Sequence, residues 1–194
     1  MTCKSRLTAL ILCGLAGPAF ADGEVDKIIR PADRERLTQL EQSRKQGFAE
    51  AAADAETDFD ALKALQTTMA KRVMSFRDFD MTGNWQCRTI KLGSYAPFVA
   101  YGWFKCRVTD DGSGWMLEKL TGSQKTKGRF YDDTDTRLIY LGAGYVNNDP
   151  APPYGKGPKS DQVGYAFRTG KNEWRIEFPG PYYESKLDIL EFRR

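Results

Sequence analysis

Gly83-Asn84-Trp85-Gln86-Cys87-Arg88 decides the fold. The Gly-Xaa-Trp opens a run in which Trp85 and Cys87 share one face of an extended chain while Asn84, Gln86 and Arg88 share the other. This is the period-two signature of a half-buried strand. The run spans about 84–92, and seven more β-rich runs follow near 100–109, 114–121, 124–131, 136–142, 162–169, 173–178 and 186–193. Asp110-Asp111-Gly112-Ser113-Gly114, Asp132-Asp133-Thr134-Asp135 and Thr169-Gly170-Lys171-Asn172 are the clearest turns between them. Most gaps have hairpin length and none carries a helical crossover pattern, so the sheet is expected to be antiparallel. Eight such strands suffice to close a small barrel.

Working back from Gly83, residues 22–80 change character: glycines are few and Ala49, Ala51, Ala52, Ala53 and Ala55 form a helix-favouring stretch. Pro31 suits a first helical turn, with Asp33 and Glu35 near the positive end of the helix dipole. One helix is expected from about Pro31 into the Ala-rich stretch. A second starts near Thr57 or Asp58 and spaces Phe59, Leu62, Leu65, Met69 and Val73 as an apolar stripe, read as a packing face.

The first 21 residues read as a secretion signal. Lys4 and Arg6 precede the apolar run Leu7–Gly17, too short to span a bilayer, and Ala19-Phe20-Ala21 matches the small-Xaa-small cleavage rule. Leu12 before Cys13 is larger than a lipoprotein-processing site takes. The expected organisation is a signal peptide at 1–21, a helical segment at 22–80 and an antiparallel β-barrel domain at 81–194, in a periplasmic protein. No second apolar run is long enough to cross a membrane.

Of the four cysteines, export leaves Cys87 and Cys106, which an oxidising compartment should pair. Their midpoint falls between Ala96 and Pro97, so in a symmetric hairpin they face each other across two strands. Closing that loop is worth about 3 kcal/mol in the chain-entropy model.

The sequence contains no histidine, which removes Ser-His and Cys-His nucleophile pairs and imidazole metal ligands. Asp132, Asp133 and Asp135 lack the pattern of an EF-hand loop. Glu184, Asp188 and Glu191, near Tyr182 and Tyr183, leave carboxylate catalysis formally open, although Asp188 and Glu191 point to opposite faces of a strand. No catalytic residue, metal or cofactor is assigned. With 29 Lys and Arg against 26 Asp and Glu, nothing points to a nucleic-acid partner.

The most suggestive polar segment is Leu120–Arg129. Lys119, Lys125, Lys127 and Arg129 gather charge around Ser123 and Gln124, a candidate anion-binding hairpin beside the plainer reading of lysines blunting a strand edge. Residues 143–161 carry Pro150, Pro152, Pro153 and Pro158 with three glycines; this long connection is expected at a barrel mouth.

Cys87–Ser94, Trp103–Val108, Lys119–Gln124, Tyr140-Leu141-Gly142, Trp174-Arg175, Glu184–Asp188 and the helical Pro31–Leu37 together resemble the bacterial family called domain of unknown function 4893, which brings no activity with it. Gly83-Asn84-Trp85 and the strand number also resemble calycins. That likeness implies a lipocalin-like antiparallel barrel of about eight strands, closed at one end by Gly83, Trp85 and a late arginine, Arg193 or Arg194, over the indole. Whether the interior is open or filled by Trp85, Phe104, Trp115, Phe167, Trp174 and Ile176 stays open. The function expected is a non-catalytic binding module for a small amphipathic molecule or an envelope component. An inhibitor of a secreted hydrolase is the alternative, ahead of a carboxylate-dependent envelope hydrolase.

Overall fold

The computed structural model describes residues 22–95 and 97–194. The expected signal peptide, with Cys3 and Cys13, lies outside them. Four helices come first: α1 (Asp22–Ile28), α2 (Pro31–Thr38), α3 (Leu40–Ala53) and α4 (Phe59–Met69). Nine β segments follow: β1 (Gly83–Leu92), β2 (Phe98–Ala100), β3 (Phe104–Asp110), β4 (Trp115–Lys119), β5 (Gln124–Thr134), β6 (Arg137–Val146), β7 (Asp161–Arg168), β8 (Glu173–Pro179) and β9 (Leu187–Arg193).

Each segment from β3 to β9 pairs antiparallel with the next, and β9 returns to pair with β1 from Gln86↔Arg193 to Leu92↔Leu187, which closes the sheet. β2 and β3 both pair with β1, β2 along Ile90–Leu92 and β3 along Gly83–Cys87, so they act as one interrupted strand. The result is a closed eight-strand antiparallel barrel that leaves no long free edge.

The interruption at Tyr101–Trp103 changes the register. Cys87 sits opposite Phe104, and Cys106 opposite Trp85. The two cysteines are therefore diagonal neighbours rather than directly opposed, yet on the same face, with Cα atoms 5.9 Å apart and a disulfide between them. Alternation placed both sulfurs on one face, while hairpin symmetry over-simplified their alignment.

The helices cover the outside of the barrel. Leu40, Ala51, Leu62 and Leu65 pack on the outward residues Ile90, Leu92, Leu187 and Ile189 of the β1/β9 seam. Val25, Ile29 and Leu37 pack on Ile139, Leu141 and Val163 of β6 and β7. The helix expected from Pro31 breaks at Gln39 (φ −90°, ψ 9°), dividing α2 from α3. Asp58 caps α4 by accepting from the Ala61 N–H at 3.0 Å. Of the stripe on that helix, Leu62 and Leu65 are buried while Phe59 stays exposed. Arg44 of α3 donates from Nε and Nη2 to the buried Glu177 carboxylate at 2.6 and 2.9 Å, and Arg175 donates to the same group at 2.7 Å. Outward-facing charge on β8 is thereby paired under the helix rather than left uncompensated.

Candidate functional site

The two ends of the barrel are built differently. At the end where β1 begins, the interior is solid. Trp85 and Trp174 meet edge to face at 5.7 Å, Trp174 stacks on Phe192 at 3.5 Å, and Phe130 meets Trp174 at 5.7 Å. The α4–β1 linker adds Phe76, Phe79 and Met81 to the same cluster. Trp85 is 3% exposed, and its Nε1 donates to the Met81 carbonyl at 2.8 Å. Gly83 begins β1 at φ +115°, a conformation open to glycine, and a Cβ there would come within 3.2 Å of Arg194 Nη1.

The arginine over the indole is Arg194, with Cζ 4.1 Å from the Trp85 ring and Nη1 donating to the Thr82 carbonyl at 2.8 Å. Arg193 instead lies over Trp103 at 3.9 Å and donates to Gln86. Alternation explains the exchange: Phe192 points inward, so Arg193 points outward, and the final residue turns back across the end. Of the residues considered as interior filling, Trp85, Trp174 and Ile176 are in the buried cluster, with Phe104 and Trp115 packed against it. Phe167 faces the helices instead, where Arg44 and Arg175 lie over its ring.

The aromatic column ends at Tyr140 and Phe178, whose rings are 5.7 Å apart. Beyond them the inward positions turn polar. Cys87, Thr89 and Lys91 alternate inward along β1, Trp115, Leu117 and Lys119 along β4, and Asp188, Leu190 and Phe192 along β9. At this mouth a cleft of about 540 Å³ opens between Phe178, the Pro150–Ser160 stretch and the Pro181–Glu184 loop. Below it lies a chamber of about 60 Å³ bordered by Lys119, Thr126, Gln162 and Asp188.

Three charged groups set the electrostatics of the floor. Lys91 is opposite Asp188 in the β1–β9 register and donates to Glu184 at 2.6 Å. Burial opposes its charge, but the Glu184 hydrogen bond and the neighbouring carboxylates outweigh this and raise its pKa. Burial pushes the Asp188 carboxyl up to about 6 against the opposing effects of the Ser185 hydrogen bond and Lys91. Lys119 is pulled down to about 8, chiefly by burial and then by repulsion from Lys91. The Tyr140 hydroxyl bonds Thr126 Oγ1 at 2.7 Å, and Thr126 donates to Gln162 Oε1 at 2.5 Å, so the wall of the chamber is polar and ordered.

The long connection lies at the mouth. Its first residues extend β6 to Val146 and Asp161 already belongs to β7, and the stretch between is pinned. Asp161 accepts from the backbone N–H groups of Gly155, Lys156 and Gly157 at 3.0, 3.0 and 3.1 Å. The Tyr154 hydroxyl donates to Asp33 of α2 at 2.7 Å. On the facing rim Tyr182 and Tyr183 are each 53% exposed with ring centroids 4.6 Å apart. Glu184, the partner of Lys91, sits beside them at φ +68°, a left-handed conformation uncommon outside glycine.

Of the residues considered for an anion-binding hairpin, Lys119, Gln124 and Lys125 border the same small chamber, while Lys127 and Arg129 are paired on the outer face. Alternation puts those two there, where Arg129 pairs with Asp111 and Lys127 lies 3.8 Å from Glu118. Lys119 is on the other side of the wall, inside the barrel. The Ser123 carbonyl accepts from Asn147 N–H at 2.7 Å, tying the turn to the long loop, while Gln124 and Lys125 border the mouth cleft. Among the carboxylates, Asp188 is inside, Glu191 is outside against Arg88 at 2.6 Å, and Glu184 is on the rim. Among the described residues no group of three or more Cys, Asp or Glu could hold a metal ion, and no helix is long and apolar enough to cross a membrane.

A closed eight-strand antiparallel barrel, filled at one end, open at the other and backed by short helices, is a calycin-like architecture. Residues 26–192 match the family described as Domain of unknown function (DUF4893), and the chain belongs to that family. No curated protein and no solved structure matches it.

Proposed function

We propose that the protein is an exported, non-catalytic binding module that takes a small amphipathic molecule at the barrel mouth. The observation that carries this reading is the change along the barrel axis from solid aromatic packing to a cleft of about 540 Å³, within the size range of small-molecule sites. Phe178, Tyr183 and the prolines of the long loop offer apolar surface above, and Lys91, Lys119 and Asp188 offer polar groups below. An amphipathic molecule matches that gradient. Export is supported by the leader sequence and by the Cys87–Cys106 disulfide, which an oxidising compartment preserves.

The reading is tested with N-phenyl-1-naphthylamine, a neutral probe that brightens in apolar surroundings. Saturable binding that weakens in the Tyr182→Ala, Tyr183→Ala double variant is the expected result; no saturable binding would refute a small-molecule mouth. Fractionation with N-terminal sequencing checks export, with a periplasmic protein beginning at Asp22 expected.

A further inference from the structure

We infer that the mouth takes its ligand with an anionic head group downward against Lys119, so that the molecule bound is an amphiphile carrying a single acidic group. The inference rests on the mouth being the binding site. Lys119 is the last residue of β4, points into the barrel and is 5% exposed. The contact made by its ammonium is the face of Phe104, with Nζ 4.3 Å from the ring centroid. Among the described residues no carboxylate lies within 4 Å of it.

Of the other cations around this mouth, Lys159 is exposed and half-buried Lys125 reaches the Asn148 amide oxygen at 3.4 Å, while the rest are answered by carboxylates. Lys91 has Glu184, Arg36 has Asp33 at 2.9 Å, and Arg30 has Asp161 at 3.3 Å. A buried ammonium lacking a counter-charge is costly unless something supplies one. Beside Lys119 the chamber of about 60 Å³ offers room for a compact head group. Lys125, Thr126 and Gln162 line it with Lys119, and Phe178 borders both the chamber and the cleft above.

Of the acidic groups at this end, exposed Asp149 borders the upper cleft, and those nearer the floor are turned to other partners. The Asp161 carboxylate is used by its own loop and by Arg30, and that of Glu184 by Lys91. Asp188 accepts from Ser185 and faces Lys91 of β1, Glu184 of the β8–β9 loop and Arg36 of α2. Asp188 borders the chamber too, so an anion there competes with its charge until the carboxyl takes up a proton. Affinity for an anion should accordingly increase as pH falls through about 6 and decrease above about 8, where Lys119 loses its proton.

The test compares 8-anilinonaphthalene-1-sulfonate with N-phenyl-1-naphthylamine, the same aromatic body with and without an acidic group, by fluorescence titration of the purified protein. At pH 7 the sulfonate should bind about tenfold more tightly, the scale of one charge-assisted hydrogen bond. Lys119→Met should abolish that preference by weakening the sulfonate while leaving the neutral probe within about twofold, whereas Lys119→Arg should retain it. An unchanged near-ultraviolet circular dichroism spectrum certifies the fold of each variant. Equal affinity of the native protein for both probes, or a preference that survives Lys119→Met, would overturn the anionic head group while leaving a neutral ligand at the mouth. Failure of both probes to bind would remove the mouth as a site, and this inference with it. The pH dependence from 5 to 9 in the native protein is an independent arm: a preference that is flat across that range also overturns the role of Lys119 and Asp188.

Discussion

The Trp85 end and the Lys119 end of this barrel have the same strands, the same alternation and opposite contents. At the first, inward residues are aromatic, closely stacked and covered by the α4–β1 linker. At the second, Lys91, Lys119 and Asp188 occupy inward positions where apolar residues would fill the space without desolvating charge. Protein interiors gain stability from tight packing, and buried charges reduce it unless well paired. The comparison therefore separates a stabilising end from an end kept polar at some cost in stability, and each can be perturbed alone.

The largest effect expected is at the filled end. Trp85→Ala removes an indole that is in contact with Trp174, Phe79 and Arg194, and should destabilise by about 3 to 5 kcal/mol in urea unfolding. Tyr183→Ala on the rim should change stability by less than about 0.5 kcal/mol. Similar losses at both positions would break the distinction. Next comes the disulfide beside Trp85: replacing Cys87 and Cys106 together by Ala should cost about 3 kcal/mol. Thiol labelling of unreduced, denatured protein should find neither cysteine free.

A smaller effect of opposite sign belongs to the mouth. Folded Asp188 holds its proton to about pH 6, against about 3.9 for an unperturbed carboxyl. The native state therefore binds more protons than the unfolded state across that window, and stability falls as pH rises through it. Asp188→Asn should raise stability at pH 7 by about 2 to 3 kcal/mol relative to the parent, with the difference vanishing near pH 4. Titration of unfolding between pH 4 and 7 checks this, and parallel curves for parent and variant would contradict it. The smallest effect sharpens the other end: Arg194→Ala should cost about 1 kcal/mol through the lost cation–π contact. Arg193→Ala removes one of the two guanidinium groups over Trp103, leaving Arg88 at 4.9 Å, and should not reproduce the stability loss of Arg194→Ala in urea unfolding.

The strands were legible because alternation and turn residues are local signals. The run from Trp85 to Cys87 and the Asp-Gly and Thr-Gly turns carry their own geometry. The shared face of Cys87 and Cys106 was readable for the same reason, but their diagonal register was not, since it depends on the irregular stretch Tyr101–Trp103 between β2 and β3. The break at Gln39 is equally hidden: it is set by how α2 and α3 lie on different parts of the barrel wall. The polar floor could have been found. Trp115-Met116-Leu117-Glu118-Lys119 already alternates Lys119 inward, and Cys87-Arg88-Thr89-Ile90-Lys91 does the same for Lys91. Grouping Lys119 with Lys127 and Arg129 by proximity in sequence obscured a period that places it on the opposite side of the wall from them, while Lys125 at the start of β5 reaches the chamber that Lys119 lines. The proximity of Lys91, Asp188 and Glu184 needs the β1–β9 closure, which no local pattern announces.

The most direct test of the contrast between the ends is the urea midpoint at pH 7 of the Lys119→Met, Asp188→Asn double variant. Folded Lys119 loses its proton near pH 8, against about 10.4 for an unperturbed lysine, so keeping it charged in the fold at neutral pH costs stability that is recovered only above about pH 8. Both substitutions remove an inward-facing charge, Lys119 buried and Asp188 half-buried, while nearly preserving shape. If the mouth is kept polar at the expense of the fold, the double variant is more stable than the parent; a midpoint equal to or below the parent's would show that these charges belong to the structure's own support and would contradict the account.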